Sequence, residues 1–374
     1  MKNMQMWRWV SAALLLTMCG MAGSRAQELA IQSFDGTGQL IFTALPTAEK
    51  YRVEWATTPS GPWKDFTETA DAALNEIPKG EGGTITCSVP MDGPNAAFYR
   101  VVAVTAPAPA GMVLIPGGTQ TGTNPDQDLG AYNLTVNPFH MDQYEVTQAL
   151  WETVCAWATA NGYSFDCVGA SQAADHPVHS VNWYDVVKWC NARSEMEGLP
   201  PVYTVKGAVY KTGQKDDVTQ SAEAGYRLPT ATEWEYAARG GKENGRFPWD
   251  DADTIQHSRA NYNSSDVNDY DTSQTRGLHP SYTEDPSNFF PTEACTSPVG
   301  SFAPNGYGLY DMAGNVSEWC FEWNPKPGSE DFRLHCGGSW VSTSENCRVG
   351  HRQSLWPGIP YRHIGFRTLL PRSQ

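Results

Sequence analysis

SPVGSFAPNGYGLYDMAGNVSEW, residues 297–319, is the stretch of sequence that decides the fold. Glycine, proline and aromatic residues dominate it. The same residue types mark the whole chain, which has 34 Gly, 26 Pro and 14 Trp among 374 residues. Chains of this composition fold largely as loops that aromatic side chains hold in place. The sequence therefore predicts a loop-rich fold rather than a helical bundle.

Upstream of this stretch, three short amphipathic helices are predicted to pack on a sheet. The first is VTQALWETVCAWA, residues 146–158. Its residues Val146, Leu150, Val154 and Trp157 recur at helical spacing and form one stripe. An apolar stripe indicates that one face of the helix is buried.

The other two helices are predicted from their capping residues. NWYDVVKWCNARS begins with Asn182 as N-cap and has Asp185 three residues later. TATEWEYAARGG has a capping box between Thr230 and Glu233, and the glycines at 240–241 end the helix. Both helix starts are therefore specified locally.

Residues 242–305 show almost no periodicity. A compact domain tolerates so long an irregular segment only when ligands or aromatic anchors organise it. The part that reads DVNDYDTSQTRGLHP is therefore either a loop ordered by a cation or a mobile loop.

Residues 27–104 contain short strand-like runs such as QLIFTA, KYRVEWATTP and FYRVVAV. Tyr51, Val53 and Trp55 alternate onto one face. This pattern predicts a small all-β sandwich that looks like a fibronectin type III module, usually a spacer or an adhesion module. TAPAPAG, residues 105–111, reads as a Pro/Ala linker and marks a domain boundary.

Residues 1–26 have the pattern of a secretory signal peptide. Lys2 and Arg8 precede an apolar run, and small residues precede cleavage after Ala26. A lipoprotein-type site ending at Cys19 is the alternative. The predicted location is secreted, periplasmic or at the cell surface.

The chain is acidic, with a formal net charge of -15. The predicted signal peptide contains basic residues and no acidic ones, so its removal makes the charge more negative. This charge argues against binding to nucleic acid or anionic lipid. No later apolar stretch is long enough for a transmembrane segment, and the length predicts two domains.

Seven runs along residues 112–371 resemble the formylglycine-generating enzyme family, also called the sulfatase-modifying factor family. In chain order they are MVLIPGG, FHMDQYEVTQALWETV, HPVHSVNWYDVVKWCN, YRLPTATEWEYAARGG, SPVGSFAPNGYGLYDMAGNVSEW, CGGSW and GFRTLL. The resemblance implies that residues 112–372 form an α+β domain. It also implies a C-type-lectin-like fold with little regular secondary structure.

The resemblance also implies a copper site. Family enzymes use copper and O2 to oxidise a sulfatase cysteine to formylglycine, and they hold Cu(I) between two cysteines after a Gly-Gly-Ser strand. Counting from Ser339, these positions fall on Ser342 and Cys347. The three residues are the candidate catalytic set, but a serine hydroxyl is a poor ligand for Cu(I). One of the two sulfurs is therefore missing.

Calcium is the second cofactor that the resemblance implies. In the segment that would hold the first ion, side-chain and main-chain oxygens alternate, and hard cations prefer oxygen ligands of this kind. A second ion would use Asn261 and the Tyr262 carbonyl, together with Asp269 or Asp271. The alternative is a loop whose carboxylates are simply solvated. The ligands of the first ion map to Asp311, Gly314, Val316 and Glu318.

Aromatic and cationic residues lie beside the region where family enzymes dock a peptide. They are candidates for a groove that binds a protein or peptide, including a sulfatase. The alternative is that the tryptophans belong to the core and the arginines form salt bridges. The five candidates are Trp340, His351, Arg352, Trp356 and Arg362.

Eight cysteines follow the signal peptide, in a compartment that permits disulfides. The simplest pairings are Cys320 with Cys336 or Cys347, and Cys155 with Cys167. Spacing does not choose among them.

These observations favour an exported binding module stabilised by calcium, or an enzyme of altered chemistry. The first alternative is a copper-dependent oxidase that makes formylglycine with Cys347. The second is a cell-surface adhesion or assembly component.

Overall fold

A computed structural model describes most of the chain from Ile31 onward, and the described residues divide into two compact units, before and after the Pro107–Ala108 bond. The predicted signal peptide and part of the predicted linker lie outside the described residues. The described residues are 31–34, 38–44, 50–56, 64, 72–75, 77–78, 84–89, 98–104, 108–288 and 291–372.

The first unit consists of two three-stranded antiparallel sheets, with strand orders β1-β2-β5 and β4-β3-β6. A 3-10 turn at Ala72–Asn75 precedes β4. The strands are β1 (Ile31–Phe34), β2 (Gln39–Thr43), β3 (Lys50–Ala56), β4 (Ile77–Pro78), β5 (Thr84–Ser88) and β6 (Phe98–Val104).

The two sheets share one core. Phe42 of β2 and Tyr51 of β3 are fully buried, and their ring centroids are 4.9 Å apart. Val53 is buried on the same face as Tyr51, as predicted, whereas the side chain of Trp55 lies outside the described residues. Two sheets around one core form a small β-sandwich. Its likeness to fibronectin type III stays a prediction.

The second unit has twelve short strands among its described residues, in four sheets. Their orders are β18-β10-β7, β8-β9, β12-β11-β13 and β16-β15-β14-β17. The strands are β7 (Met112–Ile115), β8 (Gly118–Thr123), β9 (Ala131–Val136), β10 (Phe139–Asp142), β11 (Tyr203–Val205), β12 (Ala208–Val209), β13 (Val218–Gln220), β14 (Ser317–Trp323), β15 (Arg333–Cys336), β16 (Arg352–Leu355), β17 (Ile364–Gly365) and β18 (Leu369–Pro371).

Three helices accompany these sheets: α1 (Gln148–Ala160), α2 (Trp183–Met196) and α3 (Ala231–Ala238). The predicted caps are confirmed. The Asn182 side chain accepts a hydrogen bond from the amide of Asp185. Thr230 and Glu233 form both hydrogen bonds of a capping box. No helix among the described residues is long and apolar enough to cross a membrane.

The predicted stripe of helix α1 is confirmed in part, since Val146 just before the helix and Val154 within it are buried in one core. Trp151, Val154 and Ala158 are its buried residues, while Leu150 and Trp157 are only partly buried. Trp151 stacks on Trp189 of α2 at 6.0 Å. Its indole N–H donates to the Val168 carbonyl, a partner that the helix pattern does not reveal.

Helix α2 is buried on all sides rather than amphipathic. Every residue from Trp183 to Ser194 is buried, including Lys188 and Asp185, whose charged atoms are 2.8 Å apart. Its polar side chains face internal partners instead of solvent, because loops of the unit cover that face. The prediction of an exposed polar face was therefore wrong.

Between α3 and β14 the described chain has only isolated bridges and turns. Asp271 organises part of this segment from within. Its buried carboxylate accepts hydrogen bonds from the hydroxyls of Tyr262 and Ser264 and from the amide of Ser265. The predicted long irregular segment is thus present, held by internal hydrogen bonds and aromatic contacts. The unit is an α+β fold with few helices, as predicted.

Candidate functional site

The Gly-Gly-Ser turn follows β15 and lies against Cys347. Gly337 and Gly338 both have positive φ, 92° and 69°. A Cβ atom at position 338 would lie 2.7 Å from the Cys347 sulfur. Only glycine lets the turn approach this sulfur so closely. The glycine at position 338 therefore allows the turn to pack directly against the Cys347 sulfur.

Cys347 is a core residue. Its exposed fraction is 0%, and it packs in a cluster with Phe247, Tyr262 and Ala313. Burial raises the pKa of its thiol far above the usual range, and the charge of Asp271 adds to this. The thiolate is the form that binds metals and attacks electrophiles, and burial at this position disfavours it.

Ser339 and Ser342 contact each other within the same turn. Their hydroxyl oxygens are 3.0 Å apart, and the Ser342 amide donates to the Ser339 carbonyl. The Ser342 carbonyl in turn accepts from the amide of Asn263. Ser339 is fully buried and Ser342 half-buried. This donor set of two hydroxyls and one buried thiol does not fit Cu(I), which prefers accessible thiolates.

Asp311 has the feature expected of a cation ligand. It is buried, and one carboxylate oxygen accepts from the Gly300 amide at 2.6 Å. Its Oδ1 is buried and has no hydrogen-bond partner among the described residues. Burial raises the pKa of this carboxyl to about 6, and Glu318 adds to the shift, while the Gly300 amide and Arg367 oppose it. A buried carboxylate oxygen without a partner fits a calcium ion.

Glu318, a predicted calcium ligand, lies in a buried ion pair. It is 1% exposed, and both of its oxygens accept from the Arg367 guanidinium at 2.7 Å. The Trp234 indole N–H donates to it as well, also at 2.7 Å. Glu318 is therefore not solvated, and its nearest charge is Arg367.

Asn261 lies beside the segment of the first predicted ion. Its carbonyl accepts from the Asn315 amide at 2.8 Å, and a Cβ at Gly314 would lie 2.3 Å from the same oxygen. Its side-chain oxygen is buried and has no partner among the described residues. The fold thus brings the two predicted calcium segments together.

Two of the remaining predicted ligands of the second ion, Tyr262 and Asp271, have protein partners. The Tyr262 carbonyl accepts from a ring nitrogen of His257 at 3.1 Å. Asp271 is buried near Tyr262, whereas Asp269 is exposed. Among the described residues, no three His, Cys, Asp or Glu side chains are close enough to hold a metal. A calcium ion here would need amide and main-chain oxygens, which include the backbone atoms of Gly314 and Val316.

Glu145 is a further buried carboxylate of this region, and no sequence motif singled it out. It is fully buried and accepts from the Asn315 side chain at 2.6 Å and the Val316 amide at 3.0 Å. Burial, followed by the charges of Asp311 and Glu318, raises the pKa of its carboxyl well above the usual range. Glu145 is far in sequence from Asn315 and Val316. Its position inside the family-like run FHMDQYEVTQALWETV was the one sequence signal that could have pointed to it.

The predicted groove residues have separate neighbours. Trp340 is 3% exposed and packs against Cys295, so it belongs to the core. Its predicted place in an exposed groove was wrong, because its ring fills space beneath the surface. Arg352 forms a salt bridge with Glu235 at 3.0 Å. His351 lies 3.3 Å from the Arg348 guanidinium.

Trp356 and Arg362 are the exposed members of this set. Trp356 is 49% exposed and packs its ring on Phe332. Arg362 is exposed and donates to the carbonyls of Pro291 and Thr292. Both residues lie on the segment between β16 and β17. This segment is the part of the predicted groove that offers surface to a partner.

Known proteins share this architecture. Residues 101–371 match the sulfatase-modifying factor enzyme 1-like domain. The chain is 32% identical over 251 residues to chaperone protein LppX of Paenibacillus barcinonensis, covering 64% of this chain and 82% of that protein. It is 31% identical over 289 residues to the formylglycine-generating enzyme of Mus musculus, covering 68% and 74%.

A further relative is the inactive C-alpha-formylglycine-generating enzyme 2 of Mus musculus, 29% identical over 280 residues, with 68% of this chain and 84% of that protein covered. Among solved structures, that of CarF superposes with a TM-score of 0.55 at 29% identity, covering 71% of this chain and 99% of that one. The matched region contains the turn at Ser339 and the segment around Asp311. The chain therefore belongs to the formylglycine-generating enzyme, or sulfatase-modifying factor, family.

Proposed function

We propose that the second unit is an exported protein- or peptide-binding module that does not carry out copper-dependent oxidation. One observation carries the proposal. The pair of positions that would hold Cu(I) has the hydroxyl of Ser342 at one and, at the other, the fully buried thiol of Cys347, whose pKa burial raises. Neither is a soft, accessible thiolate, so the copper chemistry has no ligands at this turn.

The relatives support a role other than oxidation. The chain is about as similar to a protein named a chaperone and to one named an inactive enzyme as it is to the formylglycine-generating enzyme of Mus musculus. The family fold therefore occurs in proteins whose names describe no oxidase activity. Function within a fold depends on the site rather than on the fold.

The segment from Trp356 to Arg362 is the proposed contact surface. Trp356 and Ile359 are 49% and 46% exposed, and Arg362 adds a positive charge. Large exposed apolar side chains next to arginine are typical of binding surfaces. The proposed partner is a protein or peptide with apolar and acidic groups, and a sulfatase is one candidate.

Calcium is the proposed structural cofactor. Asp311 and Asn261 would supply the side-chain oxygens that lack partners, with main-chain oxygens near Gly314 completing the site. A bound ion would fix the segment before β14 relative to the irregular segment around Asn261. Its role would be to hold loops in place, since the site offers no reactive group.

The oxidase alternative is tested directly with a substrate peptide. We expect the protein, incubated with Cu(I), O2 and a peptide containing the sulfatase motif Cys-x-Pro-x-Arg, to leave the peptide cysteine unchanged. The physical reason is the missing sulfur at Ser342. Mass spectrometry of the peptide gives the measurement, and the Mus musculus enzyme, assayed in parallel, shows that the conditions support turnover. Formylglycine formed by the wild type and lost in Cys347→Ser would refute the proposal.

Calcium binding is tested by thermal unfolding. We expect CaCl2 to raise the melting temperature of the wild type and chelation to lower it, because an ion that binds only the folded state stabilises it, by about 2.7 kcal/mol at a hundredfold excess over Kd. Asp311→Asn should remove this response. Asparagine suits the test since Asp311 has a positive φ of 56°, which asparagine tolerates.

The matched control is Asp269→Asn, at an exposed aspartate of the irregular segment. It should respond to calcium like the wild type. A melting temperature that is independent of calcium in the wild type would rule out a structural ion.

A further inference from the structure

Two cysteines outside the candidate site lie side by side in the core. Cys320 is on β14 and Cys336 ends β15, and these strands are antiparallel neighbours. Their sulfur atoms are 3.8 Å apart, and the residues are 0% and 2% exposed. All eight cysteines in the part of the chain that the structure describes are unlinked.

The strand register explains the contact. Cys336 lies directly opposite Glu318, so Cys320, two residues further along β14, is its diagonal neighbour on the same face of the sheet. The regular pairing of the two strands is interrupted between Trp319 and Trp323. Cys320 is therefore next to this irregularity, where the backbone is less constrained than in a regular ladder.

We propose that Cys320 and Cys336 form a cross-strand disulfide when the protein folds under oxidising conditions. The sulfurs need to approach by about 1.8 Å to reach the usual S–S length of roughly 2.05 Å. Rotation of the two side chains about their Cα–Cβ bonds supplies part of this approach. Diagonal neighbours have Cα atoms roughly 7–8 Å apart, at the limit that a disulfide spans, so a small backbone shift at the irregularity beside Cys320 must supply the rest. The export of the chain, if the signal peptide acts as predicted, would supply the oxidising compartment.

The structure also separates this pair from the competing partner, Cys347. Cys320 and Cys336 belong to one core cluster, which also contains Trp234. Cys347 belongs to another, with Phe247. The spacing of the cysteines left both partners open for Cys320, and only the three-dimensional packing distinguishes them.

The chemistry is thiol–disulfide exchange with a small disulfide such as oxidised glutathione. One protein thiol loses its proton, and its sulfur attacks the oxidant, forms a mixed disulfide and releases one glutathione thiolate. The second protein thiolate attacks the mixed disulfide, forms the Cys320–Cys336 bond and releases the other glutathione thiolate. Two electrons pass from the protein pair to glutathione disulfide, and the two protons end on the released thiols.

The exchange must occur before folding is complete, because the oxidant needs access to the sulfurs. Both sulfurs are buried in the folded protein, so glutathione reaches them before β14 and β15 have packed into the core. The paired strands then hold the sulfurs together. Since β14 contains Glu318 and β15 leads into the turn at Ser339, the bond would fix the register of the two strands that position the candidate site.

The test uses the full chain, reduced and unfolded, and then refolded with reduced and oxidised glutathione. Remaining thiols are alkylated, and linked peptides are identified by mass spectrometry. Tryptic peptides alone do not suffice, because one contains Cys295 with Cys320 and another contains Cys336 with Cys347. Chymotrypsin cleaves at an aromatic residue between the members of each pair, so it resolves the linkage.

We expect a peptide that joins Cys320 to Cys336 in the wild type and its loss in Cys320→Ser and in Cys336→Ser. Cys190→Ser, at another fully buried thiol, is the matched control and should retain the link. A reductant should lower the melting temperature of the oxidised wild type by several degrees. It should leave that of the Cys320→Ala/Cys336→Ala variant unchanged.

The disulfide map of the wild type tests the proposal even if a serine variant fails to fold. Alkylated Cys320 and Cys336 in refolded protein of native melting temperature would overturn the proposal. A bond from either residue to a different cysteine would do the same.

Discussion

Replacing Arg367 by methionine is expected to lower the free energy of unfolding by about 3–5 kcal/mol. Arg367 is 0% exposed and makes two hydrogen bonds of 2.7 Å to Glu318. It also donates to the main-chain carbonyls of Asp142, Gln143 and Tyr310. Its removal leaves the Glu318 carboxylate charged, buried and without its cation, and a buried charge without a partner is strongly destabilising. Urea or guanidinium unfolding measures the change.

Arg259→Met is the matched control for this prediction. Arg259 makes two hydrogen bonds of 2.7 Å to Asp251, whose side chain is 69% exposed. Exposed ion pairs contribute little, so this substitution should cost less than about 1 kcal/mol. Equal losses at the two sites would show that burial of the Glu318–Arg367 pair does not determine its effect.

The second large effect is a loss of stability at acid pH. The chain contains eight histidines, and burial lowers the pKa of each below its usual value. The strongest resolved case is His335, whose pKa burial lowers to about 3, with the charges of His363 and His351 adding to the shift. These histidines are neutral in the folded protein and take up protons more readily when it unfolds.

The direction of the pH dependence follows from these shifts. The contribution of His335 is complete above the unfolded-state pKa of about 6.5 and is lost as the pH falls toward 3. Its full loss is on the order of 5 kcal/mol. Glu145 and Asp311 act in the opposite direction, since their pKa values are raised in the folded state and their protonation there favours folding.

Denaturant unfolding of the wild type and His335→Gln at several pH values between 7 and 4 isolates the contribution of His335 to the pH dependence of stability. Glutamine does not titrate, so the variant should lose stability less steeply as the pH falls. His176→Gln is the control, at a partly buried histidine whose ring hydrogen-bonds to Thr296. Identical pH slopes for the wild type and the His335 variant would contradict the prediction.

Local signals predicted the secondary structure best. The starts of α2 and α3 were correct because an N-cap and a capping box are satisfied within four residues. The buried face of α1 was less well predicted, since Trp151 is buried by contacts with Trp189 and Val168, which are distant in sequence. Helix α2 shows the same limit, because loops from elsewhere in the unit bury its polar residues.

For the candidate site too, the sequence predicted some features and not others. The motif order identified the family, and the count from Ser339 predicts a serine, Ser342, at one of the two positions where the family resemblance implies a copper-binding cysteine. It did not reveal that Cys347 lies in the core, which depends on Phe247 and Tyr262. Nor did it reveal Glu145.

The sequence by itself determined the family, the loop-rich fold, the helix caps and the serine at position 342, because each depends on residue types at fixed short spacing. Only the tertiary structure decided the burial of Cys347, the pairing of Glu318 with Arg367, and the contact of Cys320 with Cys336. Burial and charge pairing depend on which distant segments meet, and that information is absent from any local pattern.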